Sequence, residues 1–194
     1  SKGFPEGTHV SEPDEKTGSA IKKCSQVKDN CTSWSYLFVH NQKVKSIEEQ
    51  LKKDGVTHFV HKTIKYVPRH RNRGGMREVE TPSVSGLIFL QGDPELLQDY
   101  LDKNIKPYKL CKNCSTGKVA TIPCNQMEPF MRVAETEPER LRFLLRPFVY
   151  YSKNRTLLRI VTGDYAGLEG YVIRIARDRK LVMDVGGMAV AVAG

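Results

Sequence analysis

The stretch Leu158-Arg-Ile-Val-Thr-Gly-Asp-Tyr-Ala-Gly-Leu-Glu-Gly-Tyr-Val172 decides how the chain is read. Leu158, Ile160 and Thr162 alternate with Arg159 and Val161, which is the period of a strand. Gly163 ends the alternation, and Asp164 suits the turn that follows. Gly167 and Gly170 lie three apart, where a tight loop calls for positive φ or close approach of two backbones. A second strand begins at Tyr171. Downstream, Tyr171–Ala176, a charged turn at Arg177–Lys180, Leu181–Val185, a Gly186-Gly187 turn and Met188–Val192 repeat the theme. Four short strands with turns between them predict a small β-barrel or sandwich.

Upstream the periods change. Trp34–His40 is apolar on both faces, with Trp34, Tyr36 and Phe38 on one and Leu37 and Val39 on the other. It is expected to be a central strand covered on both sides. Val44, Ile47 and Leu51 recur at helical spacing, followed by Lys52, Lys53 and a stop at Gly55. Val56–Val67 predicts a long strand ended by Pro68. Arg69, Arg71, Arg73 and Arg77 surround Gly74-Gly75 as a hairpin tip of dense positive charge. Guanidinium groups suit phosphate, so these four arginines are the candidate nucleic-acid contact. Glu78–Leu90 returns as a strand, in which Gly86 marks a bulge or a close backbone approach. Asp93-Pro94 opens a helix, Pro107–Leu110 and Lys118–Ile122 make short strands, and a helix after Pro123 carries Met127, Phe130, Met131 and Ala134 on one face. The first part is therefore expected to be an α+β unit with an antiparallel sheet and flanking helices.

The organisation expected is an arm over 1–33, an α+β domain over 34–145, a linker over 146–157 and a β-barrel over 158–194. The linker holds Phe148-Val-Tyr-Tyr151, too apolar for a flexible tether, and is expected to be packed; the alternative is that these aromatics lie exposed as a binding strip for a partner.

Composition bounds the function. The 194 residues hold 31 Lys and Arg against 22 Asp and Glu, a net charge of +9, which points toward a polyanionic partner. No apolar run reaches the ~18 residues of a membrane span, so the protein is expected to be cytoplasmic, monomeric and without a membrane partner. Five cysteines at irregular spacing argue against a secreted disulfide framework. Cys111-Lys-Asn-Cys114 is a lone CxxC, and structural zinc asks for four ligands; two reduced thiols on a turn, no metal and no cofactor are expected. There is no phosphate loop, metalloprotease helix or nucleophile elbow. His58 and His61, three apart on a strand, would point to opposite faces. The chain is not expected to be an enzyme.

Gly163, Gly167 and Gly170, with their apolar flanks, resemble the KOW motif. The whole order from Trp34 to Gly194 resembles the NusG family: an NGN domain followed by an SH3-like KOW β-barrel. The carrying features are the aromatic first strand, the amphipathic helix, the basic hairpin between two strands, the Asp-Pro helix and Ile122-Pro123 before a third helix. Gln126-Met127, Phe130 and the form of Gly167–Val172 place it nearest the specialised, operon-specific paralogs of the UpxY and RfaH kind.

The resemblance implies a transcription elongation and antitermination regulator, acting on specific operons such as those for surface polysaccharides. Its NGN-like sheet would bind the clamp of RNA polymerase. By motif position Phe38, Leu87 and Phe89 fall on that face, and the helix opening at Asp93 would lie toward the polymerase lobe. DNA of the transcription bubble or nascent RNA, and a ribosomal protein or termination factor, are the other partners implied. The alternative is an RNA- or ribosome-binding KOW protein that does not act on polymerase. Two departures stand out. Val84-Ser85-Gly86-Leu87 replaces an aromatic-Pro-Gly-aromatic run, and Gly186 stands where a large apolar residue would meet a barrel partner. A fifth barrel strand is expected only beyond Gly194.

Overall fold

Trp34–Phe38 (β1) is apolar on both faces because it lies inside a sheet covered on both sides. The computed structural model of the chain describes residues 32–68, 76–175 and 177–193. In it β1 sits between β5 (Leu87–Gln91) and β6 (Thr121–Ile122), with β2 (His58–Phe59) outside β5, all antiparallel. Tyr36 stands opposite Phe89, and Phe38 opposite Leu87.

One sheet face, formed by Leu37, Val39, Ile88 and Leu90, packs on α1 (Val44–Lys53) and α2 (Pro94–Asn104). Val44, Ile47 and Leu51 supply the buried stripe of α1, and Leu97 and Leu101 that of α2. The start of α2 is fixed by Asp93, whose Oδ1 accepts from Glu95 N at 2.9 Å and Leu96 N at 3.2 Å. The other face, formed by Trp34, Tyr36, Leu87 and Phe89, lies against Met127, Phe130, Val133 and Ala134 of α3 (Cys124–Thr136).

A second sheet is the two-stranded hairpin of β3 (Lys62–Pro68) and β4 (Met76–Pro82), in regular register from Lys62↔Pro82 to Pro68↔Met76. A third has five strands in the order β7 (Leu141–Pro147), β11 (Met188–Ala193), β10 (Asp178–Val185), β9 (Glu169–Ile175) and β8 (Leu158–Arg159), again antiparallel. A four-residue helix, α4 (Phe148–Tyr151), leads out of β7. The chain is thus α+β, with antiparallel sheets, helices and a small β-rich part at its C-terminal end.

The structure changes several boundaries. Val56–Val67 is two strands in two different sheets, broken where Val60 and His61 both turn into the interior. Glu78–Leu90 is likewise split, by a turn at Ser83–Gly86. Gly86 has φ +75, and its carbonyl accepts from Val39 N–H at 2.8 Å; a Cβ there would lie 1.8 Å from Val39 O. The expected close backbone approach is present. Leu141–Leu145, counted with the first domain, belongs to the barrel sheet, where Leu141, Arg142 and Phe143 pair with Val192, Ala191 and Val190. The fifth strand of this sheet is therefore β7, which precedes the other four in sequence. Within the expected linker, Phe148 and Tyr151 of α4 pack on Ile173, Val182, Ala189 and Ala191 of the barrel. From Thr32 onward the chain clusters as one compact unit.

Candidate functional site

Register brings Phe38, Leu87 and Phe89 onto one face of the first sheet, as the alternation of β1 and β5 requires. Their exposure differs sharply. Phe38 is 47% exposed, Leu87 3% and Phe89 0%. Leu87 and Phe89, expected with Phe38 on a polymerase-binding face, are thus not surface residues in this structure. The cause is a shared core. The Phe89 ring lies 5.7 Å from that of Phe130 on α3 and 6.1 Å from that of Tyr36. Met183, Val185, Val190 and Val192 of the barrel close the same cluster. Burying side chains of this size contributes about 1.5–3 kcal/mol each, which gives the cover a substantial stability.

The edge of that cover is the β10–β11 turn. The Tyr36 hydroxyl donates to Gly186 O at 3.0 Å. Burial, with Cys111, Asp184 and Cys114 nearby, pushes the Tyr36 phenol up to about 12, so it remains a donor. A Cβ on Gly186 would lie 2.8 Å from both Tyr36 Cε1 and Ile122 Cγ1. The absence of a side chain at Gly186 is therefore what lets turn and sheet meet. Gly187 N–H donates to Asp184 Oδ1 at 2.7 Å, and Phe148 N–H to Gly187 O at 3.0 Å, so the turn is held on both sides. Burial holds the Asp184 carboxyl above the usual range, opposed by that Gly187 bond.

Arg69, Arg71 and Arg73 lie outside the described residues. Arg77 is placed on β4 opposite Val67, one step from the end of a regular ladder. The three motif glycines divide their work. Gly163 and Gly167 have φ of +82 and +95, conformations that L side chains rarely adopt. Gly170 is needed for space, since a Cβ there would lie 2.1 Å from Val182 O on β10.

His61 is a buried polar residue that the sequence reading did not single out for this role. It is 3% exposed, its ring 6.2 Å from that of Phe130 and 6.1 Å from that of Phe143. Nε2 lies 3.2 Å from Pro138 O, so the ring donates there, and Nδ1 accepts from the Ser83 hydroxyl. Burial pulls its pKa below the usual value. His61 thereby ties the segment between β2 and β3 to the turn leading into β7. Its only sequence signal is a histidine at the point where the Val56–Val67 alternation fails. Cys111 and Cys114 are free, and burial pushes the Cys111 thiol up. Cys124 is disulfide-bonded, which the odd and irregular cysteine spacing does not signal. Among the described residues no three His, Cys, Asp or Glu side chains gather as a metal site, and no helix is long and apolar enough to cross a membrane.

No protein-family model matches the chain, and no curated relative matches it. A solved structure of Thermotoga maritima NusG, reported for its domain interaction, is similar over 83% of this chain and 93% of that one. The identity is 15% and the TM-score 0.37. At those values the likeness carries no argument about function.

Proposed function

We propose that the chain is a transcription regulator that binds RNA polymerase through the Phe38–Leu87–Phe89 face of its first sheet and promotes read-through of specific operons. The observation that carries this reading is an apolar face built by register from β1 and β5, with Phe38 left 47% exposed at its rim. An exposed phenylalanine continuous with a buried apolar face is the start of a larger docking surface. The rest of that face is covered by α3 and the β10–β11 turn, so full engagement requires the cover to move. Arg69, Arg71, Arg73 and Arg77 would then reach nucleic acid at the transcription bubble, and the barrel would be free for a further partner.

Co-purification with RNA polymerase tests the reading. Phe38→Glu places a charge where the contact would be desolvated, and the folded variant is expected to lose polymerase. Normal co-purification of Phe38→Glu would remove the clamp assignment. Capture of ribosomes or RNA alone, with no polymerase in either protein, would favour an RNA- or ribosome-binding role.

A further inference from the structure

Between Glu139 and Asp164 the chain has no acidic residue and six cations: Arg140, Arg142, Arg146, Lys153, Arg155 and Arg159. Arg140 pairs with Glu137 at 3.1 Å, and Arg159 pairs with Glu169. Arg142, Arg146, Lys153 and Arg155 are exposed and make no ion pair among the described residues. Charges left unpaired in this way are available to an anion.

The backbone aims three of them. Phe143 stands opposite Val190 and Pro147 opposite Met188, so four steps along β7 match two along β11. This bulge bows β7 outward and puts Leu145 and Arg146 on the surface, Leu145 fully so. The Arg146 guanidinium lies 5.5 Å from the centre of the Tyr150 ring. Tyr150 is 56% exposed and Val149 68%, whereas Phe148 and Tyr151 turn inward onto the barrel. Phe148 stacks on Tyr171 at 5.2 Å, and its N–H is bound to Gly187 O. Arg155 Nη1 donates to Tyr151 O at 3.3 Å, which keeps the third cation beside the helix. The Tyr150 platform is therefore fixed before any ligand arrives.

We infer that Arg146, Tyr150, Lys153 and Arg155, flanked by Leu145 and Val149, form a binding surface for single-stranded nucleic acid on the barrel, separate from the arginine hairpin. A preset aromatic ring takes a base, and three unpaired cations take phosphates along the strand. A duplex keeps its base faces stacked and offers only phosphates to such a site. The Ser152 hydroxyl, which could have read a ribose, is bound to Val149 O at 2.9 Å. The surface is thus built for charge and stacking, and it takes RNA and DNA alike. The inference does not rest on polymerase binding.

Fluorescence anisotropy of the full chain with oligouridylate and oligothymidylate of about 15 nucleotides tests it, over a salt series and with a duplex of equal length for comparison. All four substituted side chains are exposed, and circular dichroism checks that the variants keep the fold. Tyr150→Ser is expected to weaken both single strands about 10-fold and leave the salt slope unchanged. Arg146→Gln, Lys153→Gln and Arg155→Gln together are expected to flatten the log-affinity against log-salt slope by about two, at roughly 0.7 per lost contact. A 4-thiouridine oligonucleotide should crosslink to Tyr150 or its neighbours. Arg69→Ser, Arg71→Ser and Arg73→Ser together should leave that crosslink in place. The inference is overturned if the wild type binds neither strand, or if the α4 variants bind as wild type while the hairpin variant loses binding. It is also overturned if the α4 substitutions abolish adsorption to phosphatidylglycerol vesicles and leave oligonucleotide binding untouched.

Discussion

At the scale of single residues, two glycines of one motif make different demands. Gly163 has φ +82 and nothing within 4 Å of a built Cβ, while Gly170 would drive a Cβ to 2.1 Å from Val182 O. Gly163→Ala is expected to cost about 1 kcal/mol, the strain of a left-handed residue. Gly170→Ala should cost roughly 2–3 kcal/mol, because β9 and β10 must part; urea unfolding of the two variants measures the difference. His61 makes a second prediction. Its folded pKa lies below the ordinary value because the charged form is desolvated between Phe130 and Phe143. The native state therefore holds fewer protons than the unfolded chain. Its stabilisation is complete above the unfolded pKa of about 6.5 and is lost as pH falls through the lower folded value. The wild type should lose more stability than His61→Gln between roughly pH 7.5 and 5.5. Equal losses would place the acid sensitivity elsewhere.

At the scale of elements, α4 turns an expected connector into part of the barrel. Phe148→Ala should cost about 1–3 kcal/mol, since the ring is half-buried against Tyr171. Chymotrypsin should cut slowly at Phe148 despite four consecutive apolar residues; early cleavage there, releasing two stable fragments, would show an undocked segment. The three long helices were legible because each carries its own periodic stripe and a boundary signal: Val44, Ile47 and Leu51 before the stop at Gly55, or the start at Asp93-Pro94 before Leu97 and Leu101. The aromatic run of α4 was legible only in part: Phe148 and Tyr151 pack on the barrel as its apolar character suggests, while Val149 and Tyr150 stay exposed. Strand boundaries were less so. Nothing in Val56–Val67 says that its two ends join different sheets, because β-propensity reports a pleated surface and not a partner. Leu141–Pro147 was misplaced for the same reason: its partner, β11, lies more than forty residues further on. The motif glycines were readable from spacing. The burial of Leu87 and Phe89 was not, because the elements that cover them are remote in sequence.

At the scale of the molecule, the account turns on a continuous core. Trp34, Tyr36, Leu87 and Phe89 of the first sheet share one cluster with Met183, Val185, Val190 and Val192 of the barrel, and Tyr36 reaches Gly186 O across the same boundary. Both parts should therefore tumble together, with one rotational correlation time by NMR relaxation. If the covered face is the polymerase contact, the cover and polymerase compete for it, and weakening the cover shifts the population toward the binding form. Gly186→Asn is the cleanest way to weaken it. Asn tolerates φ +63, it leaves every residue of the sheet face intact, and its Cβ intrudes on Tyr36 and Ile122. The most direct test is the affinity of the full chain for RNA polymerase, measured for the wild type and for Gly186→Asn. The account predicts about 5- to 30-fold tighter binding by the variant, the gain from removing about 1–2 kcal/mol of cover. Binding by Gly186→Asn that is unchanged or weaker, in a protein whose NMR relaxation shows the two parts released, would contradict it.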